Sequence, residues 1–350
     1  MADDVKDQNA ENHLSFSKKV WIAGAIISFI LIFLFLFKTL LSVLLLILAG
    51  VLIAIYFHGF AGIFEKYFHW PSKFSVVISV VFNLLLLIGF FWFVGARLQH
   101  QVSELSETLP ATIENAKEKM QQTTLGSKAL QLLNSTGDSE KTMNVVKRFF
   151  SSGFGVLSDI YIVFLLGLFF TASPSLYKKG VVSLLPTKAK DKGQELISRL
   201  SIVLKKWLEG QIIGFFFIAI LTGIGLVILG MPLVLTLALI AGLLNFIPNF
   251  GPIIALIPGV LIALMQGPGT AIIIVCMYTF IQIIQTSVTQ PIIQQKMISI
   301  PPALTVVGQV ALGMLAGFWG VLLAVPVVAI LMTVIDRLYI QNQATYKSSS

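Results

Sequence analysis

The chain has 350 residues, 56% of them hydrophobic and 11% charged, with 24 Lys and Arg against 16 Asp and Glu for a formal charge of +8. A soluble domain carries about 25% charged residues, so this chain has too little charge to cover a water-facing surface and reads as an integral membrane protein. The basic excess then belongs to loops at the membrane face rather than to a nucleic-acid partner. The lone Cys276 lies in an apolar run, which excludes an intramolecular disulfide and a cysteine-built metal site.

A hydrophilic segment, residues 1–19, precedes the first apolar run, so that run reads as a retained helix and not a cleaved signal. Crossing a bilayer takes about 20 apolar residues. On that measure residues 20–95 hold three transmembrane helices, the first two (20–37 and 39–57) turning at Lys38 and the third covering 74–95. Residues 96–150 are a polar excursion in which Leu98, Val102, Leu105 and Leu109 recur at helical steps and Ile113, Ala116 and Met120 continue the stripe. A self-packed helical subdomain and a contact between subunits both fit that pattern. A fourth transmembrane helix, 151–172, leads into a basic segment, 173–209, with eight basic residues against three acids. There Leu196, Ile197, Leu200, Val203, Leu204 and Trp207 mark an amphipathic helix expected to lie along the cytoplasmic interface. Residues 210–336 are a breaker-rich core in which Lys296 is the single formal charge between Gln211 and Ile335, and residues 337–350 are a tail.

Short basic loops stay in the cytoplasm, which predicts 173–209 and both termini inside and 96–150 outside. The expected fold class is an all-α integral membrane protein of about eight membrane segments, with broken or re-entrant helical hairpins in the C-terminal third and a small helical extracytoplasmic segment.

Chemistry in a membrane needs a nucleophile with its base, a metal cluster or paired acids. His13, His58, His69 and His100 fall outside the spans as drawn, and no HExxH, GxSxG or Walker A string occurs. The expectation is therefore not an enzyme, with no cofactor, no metal and no direct use of ATP. Asp159 is the acid inside a marked span. Burying it is costly unless it is paired or solvated, so Asp159, with Glu209 beside the core, is the candidate for ion coupling.

Helix breakers concentrate in the core. Asn245-Phe-Ile-Pro248-Asn249-Phe-Gly251-Pro252 is followed by Pro258 and Gly259, and then by Gly267-Pro268-Gly269. A second cluster holds Gly313, Gly317, Gly320 and Pro326. Gly251 to Pro258 and Gly320 to Pro326 resemble each other across a one-residue gap, and paired broken segments point to a transporter's binding site. Backbone freed by breakers cannot face lipid, so Gly251, Pro252 and Pro258 are expected in a non-helical or hairpin turn buried in protein, with Asn245 or Asn249 satisfying freed groups. Glycine and proline there also permit tight helix packing. Between the clusters Gln282, Gln285, Thr286, Thr289 and Gln290 follow helical spacing and would form one polar, uncharged face. That face suits a pathway for a neutral polar solute or hydrogen bonding between helices.

The strings Asn245 to Pro252, Trp207-Leu-Glu-Gly-Gln211 and Gly317-Phe-Trp-Gly-Val-Leu-Leu-Ala-Val-Pro326 resemble the signature segments of the autoinducer-2 exporter family of bacterial permeases, and the likeness extends over nearly the whole chain. Glu209 stands where the family often has a basic residue, and Asn249 where it often has an aromatic ring. The resemblance implies a multi-pass homo-oligomer of the bacterial inner membrane, a pentamer being the form envisaged. It would export a small polar solute, such as an autoinducer-2-like furanose, as a secondary transporter embedded in the lipid bilayer. The alternatives are a sodium (or other cation)/proton antiporter, since some relatives are associated with that exchange, and a membrane scaffold or assembly factor.

Overall fold

The computed structural model of the chain describes residues 16–90, 92, 153–289 and 300–340. The regular elements among them are all helical. The excursion at 96–150 and both tail ends lie outside the described residues.

Helix α1 (Phe16–Phe68) runs unbroken for 53 residues, about 80 Å at 1.5 Å per residue. The turn expected at Lys38 does not occur, and the two spans drawn there are one helix. Neither glycine nor proline stands between Gly24 and Gly50. Lysine is a good helix former whose long stem can carry its ammonium toward water. The hydroxyls of Thr39 and Ser42 donate to the carbonyls of Phe35 and Lys38 at 2.9 and 3.1 Å, so local polarity is satisfied inside the helix. From Trp21 to Phe37 the large apolar side chains are exposed, as suits a lipid-facing rod.

The chain reverses at His69, whose φ is 54°, and α2 (Ser72–Phe90) returns along α1. Polar ties inside the apolar pair set its register: Tyr56 Oη donates to Asn83 Oδ1 at 2.5 Å, and Ser79 Oγ to the Phe57 carbonyl at 2.9 Å. Helix α3 (Gly153–Ala172) packs on α1 where Gly50 lies against Leu166 and Gly167 against Ile53. Small residues at such a crossing let membrane helices approach closely.

Pro174 lacks an N–H and disfavours helical backbone at Ser173, so the chain breaks there and α4 (Pro174–Ser183) leaves α3 at 92°. Helix α5 (Lys190–Ile228) is continuous for 39 residues. The amphipathic stretch expected to lie along the interface is instead the first half of this rod. Its Leu204, Trp207 and Leu208 are buried with Leu45, Ala49 and Val328, since no proline separates the stripe from the span and Gly210 between them is buried within the helix.

Helices α6 (Val234–Leu244) and α7 (Gly251–Gln266) follow, then α8 (Pro268–Ile284), which continues as a π-helical turn, Gln285–Thr289. The last helical stretch, α9, covers Pro302–Ile335. It is not a straight rod. Gly317 has φ 60° and ψ −134°. A Cβ on Gly308 would stand 2.9 Å from Val328, one on Gly313 2.7 Å from Val321, and one on Gly320 1.9 Å from the Leu312 carbonyl oxygen. In a continuous helix residues 308 and 328 would be about 30 Å apart. The two limbs, 302–316 and 318–335, therefore lie antiparallel as a hairpin, the first of them too short for a full crossing.

α6 and α7 form the same device, with Gly251 against the Leu244 carbonyl. The Arg337 guanidinium bonds the Glu195 carboxylate, so the open end of the α9 hairpin lies beside the start of α5. α5 carries the chain to the other side before α6 begins, and the two hairpins enter the bundle from opposite sides. Long apolar helices together with two broken hairpins make this an all-α integral membrane protein.

Candidate functional site

The turn joining α6 to α7, residues 245–250, buries Asn245 and Ile247 in the bundle, leaves Asn249 and Phe250 exposed, and exchanges hydrogen bonds with two glutamines from other helices. Gln309, on the first limb of α9 and 0% exposed, donates from Nε2 to the Pro248 carbonyl at 2.6 Å. Its Oε1 accepts from Asn249 Nδ2 at 2.8 Å. Asn249 has φ 67°, a left-handed conformation that asparagine tolerates better than most residues. Asn245, 7% exposed, accepts through Oδ1 a hydrogen bond from Nε2 of Gln285, 8% exposed.

These positions differ from the sequence expectation in two respects. Gly251 and Pro252 do not form the turn; they open α7. Proline suits that first turn, where its missing N–H would have no partner anyway. Pro258 lies within α7, where it withdraws a donor from the Ile254 carbonyl. The Pro248 carbonyl of the turn accepts from the Phe250 N–H at 2.8 Å and from Gln309, and from neither asparagine.

The face drawn through Gln282, Gln285, Thr286, Thr289 and Gln290 also divides. A π-helical turn carries more residues per turn than an α-helix, so the spacing that aligned these residues fails from Gln285 onward. Gln285 turns inward to Asn245, whereas Thr286 is exposed and its hydroxyl donates back to the Gln282 carbonyl at 3.0 Å. The Thr289 side chain and Gln290 lie outside the described residues.

Beneath the turn, between α5, α6, α7 and α8, is a cavity of about 20 Å³ lined by Ile218, Thr222, Ala241, Asn245, Pro252, Ala255, Tyr278, Ile281 and Gln282. Its polar lining is uncharged. The Tyr278 hydroxyl and Gln285 Oε1 are buried without a hydrogen-bond partner among the described residues, so this corner of the bundle holds unused donor and acceptor capacity. Gly320 and Pro326 belong to the second limb of α9, away from that lining; Gly320 packs on Leu312, and Pro326 is fully buried.

The two acids have different partners. Asp159 accepts a 2.9 Å hydrogen bond from the indole N–H of Trp319, which ties α3 to the return limb of α9 just past Gly317. Glu209 pairs with Lys205 at 3.9 Å on the exposed side of α5. Thr222, Tyr278 and Gln309 are absent from the sequence-derived site, and Trp319 enters it only within the family string Gly317 to Pro326. Gln309 left a readable signal, as the single amide in the otherwise apolar run from Pro302 to Ile335.

The family model for AI-2E family transporters matches residues 26–340. The chain belongs to this family. Similar proteins include YrrI of Bacillus subtilis (strain 168), a provisionally named transport protein, 30% identical over 156 residues, which are 45% of this chain and 44% of YrrI. YueF of the same organism, named in the same way, is 23% identical over 302 residues, covering 81% of this chain and 80% of YueF. MT0215 of Mycobacterium tuberculosis (strain CDC 1551 / Oshkosh), likewise a provisionally named transport protein, is 38% identical over 108 residues, 31% of this chain and 29% of MT0215. None of the three names carries a solute. As an AI-2E family member the chain is a multi-pass membrane transporter.

Proposed function

We propose that this AI-2E transporter is a secondary exporter of a small polar solute, of the autoinducer-2-like kind, in the bacterial inner membrane. The path runs past the α6–α7 turn, between α5 and α8. The observation that supports it is the cavity where Thr222, Asn245, Tyr278 and Gln282 converge with no charged residue in the lining. Hydroxyls and amides replace water around a neutral solute, each bond contributing about 0.5–1.5 kcal/mol net. At about 20 Å³ the cavity has room for one water, so this conformation is closed and passage requires the hairpin to move. The termini and the basic segment 173–209 are cytoplasmic in this reading, residues 96–150 are external, and the transporter works as a homo-oligomer, with a pentamer as the form to test. Proteoliposomes loaded with a labelled neutral furanose test it. Gln282→Leu should slow efflux while leaving oligomer yield in detergent unchanged; normal efflux with intact oligomers would refute the path.

A second reading, cation/proton exchange, draws on Asp159, whose carboxylate has a neutral indole and no cation as partner among the described residues. A lone charge in a membrane is a candidate ion site. Sodium-driven pH change inside vesicles, present in the native protein and absent in Asp159→Asn, would support it. Sodium-driven pH change that survives the substitution would remove Asp159 from coupling.

A further inference from the structure

The right angle between α3 and α4 creates a surface that neither transport reading uses. With α3 along the membrane normal, α4 lies in the membrane plane, and an edge-to-face contact between Phe170 and Tyr177, with ring centroids 4.7 Å apart, holds the corner. Leu176, Tyr177, Gly180, Val181 and Leu184 fall at i, i+1, i+4, i+5 and i+8, one arc of the helix. No residue of α4 is buried, and Leu184 is 85% exposed. Lys178 and Lys179 flank that arc on either side. The chain then folds back, with Leu185 seated on the bare backbone of Gly193, which brings Lys188, Lys190 and Lys192 to the same end of the molecule. Five lysines stand here against two acids, Asp191 and Glu195, of which Glu195 is taken up by Arg199 and Arg337, and none of the five lysines makes an ion pair with a described residue.

An apolar arc bordered by unpaired lysines is the pattern of a helix seated at the boundary between acyl chains and headgroups. We propose that α4 and the start of α5 form a docking surface for anionic phospholipid. The arc enters the acyl boundary, and the lysines extend their stems to reach headgroup phosphates. Charge complementarity selects this occupant, because a second copy would bring five more lysines to the same place.

The test uses the full chain in vesicles of phosphatidylcholine with or without phosphatidylglycerol, with Cys276→Ser and a nitroxide on a cysteine at either Leu184 or Lys179. The label at 184 should collide with oxygen in preference to a water-soluble nickel chelate, and the label at 179 should do the reverse. After washing in detergent, the ratio of phosphatidylglycerol to phosphatidylcholine retained per chain should fall about fivefold for each of Lys178→Gln and Lys188→Gln. Three results would overturn the proposal. These are equal retention of the two lipids by the native chain, spin–spin broadening at 184 that reports a second copy, and displacement of phosphatidylglycerol by inorganic phosphate, which would make the site a free-phosphate site.

Discussion

The α6–α7 hairpin turns through residues 245–250 and is held by amide side chains, with Gln309 and Gln285 reaching in from other helices. The α9 hairpin turns at Gly317 alone, and the described polar tie beside that tip is the Trp319–Asp159 bond. Both return limbs open with a glycine whose missing side chain admits a backbone carbonyl at 1.9 Å from where a Cβ would stand. The close approach of the limbs is thus common to both, while the polarity at the tip is not. A tip with several freed backbone groups needs neutral partners of fixed geometry, because unsatisfied groups in a membrane are costly. A tip that reverses at a single glycine frees fewer groups and leaves space for an ionisable partner.

The shared element should carry the largest effect. Gly251→Ala and Gly320→Ala each place a methyl carbon on a backbone carbonyl that cannot yield as a side chain would, and each should cost about 3 kcal/mol. Folded yield and thermal melting in detergent measure this, and a near-native melt for either variant would show that the limbs are not in contact there.

The difference in polarity is tested next. Gln309→Leu removes the side-chain bond to the Pro248 carbonyl, which keeps the Phe250 N–H, and the acceptor of the Asn249 amide, at about 0.5–1.5 kcal/mol for each hydrogen bond lost. A melt lowered by less than Asp159→Asn lowers it would reverse the contrast between the tips, since asparagine still accepts from Trp319.

Tyr278→Phe separates a packing residue from a pathway residue. The Tyr278 hydroxyl has no hydrogen-bond partner among the described residues, so its removal should leave melting unchanged or slightly raised. Efflux should nonetheless fall, by up to roughly tenfold if one bond to the solute is lost. Unchanged efflux would assign Tyr278 to packing alone. The smallest effect is expected at Glu209→Gln, whose exposed pair with Lys205 contributes about 0.5 kcal/mol or less, and a large transport defect there would bring Glu209 back as a coupling residue.

Membrane class, the breaker-rich core and the family likeness were legible in residues 1–350 because they depend on composition and local strings. Apolar content decides the solvent, and glycine and proline decide where a helix can stop. Local strings do not reveal whether a possible stop is used. Lys38 looked like a turn and is mid-helix, since a single charge costs less at a lipid boundary than the unpaired backbone of a turn. Gly251 and Pro252 looked like the turn and begin a helix, because their bare backbone and missing N–H suit a first helical turn packed on Leu244. The polar face was drawn on a 3.6-residue period that a π-helical turn interrupts. The residues that complete the candidate site, Thr222, Tyr278 and Gln309, stand alone in apolar runs and had no neighbouring motif. Only the antiparallel return of the hairpins brought Gln309 to Pro248, 61 residues away in sequence. Such a pairing is decided by which helix faces meet, and the spacing within any one helix does not contain it.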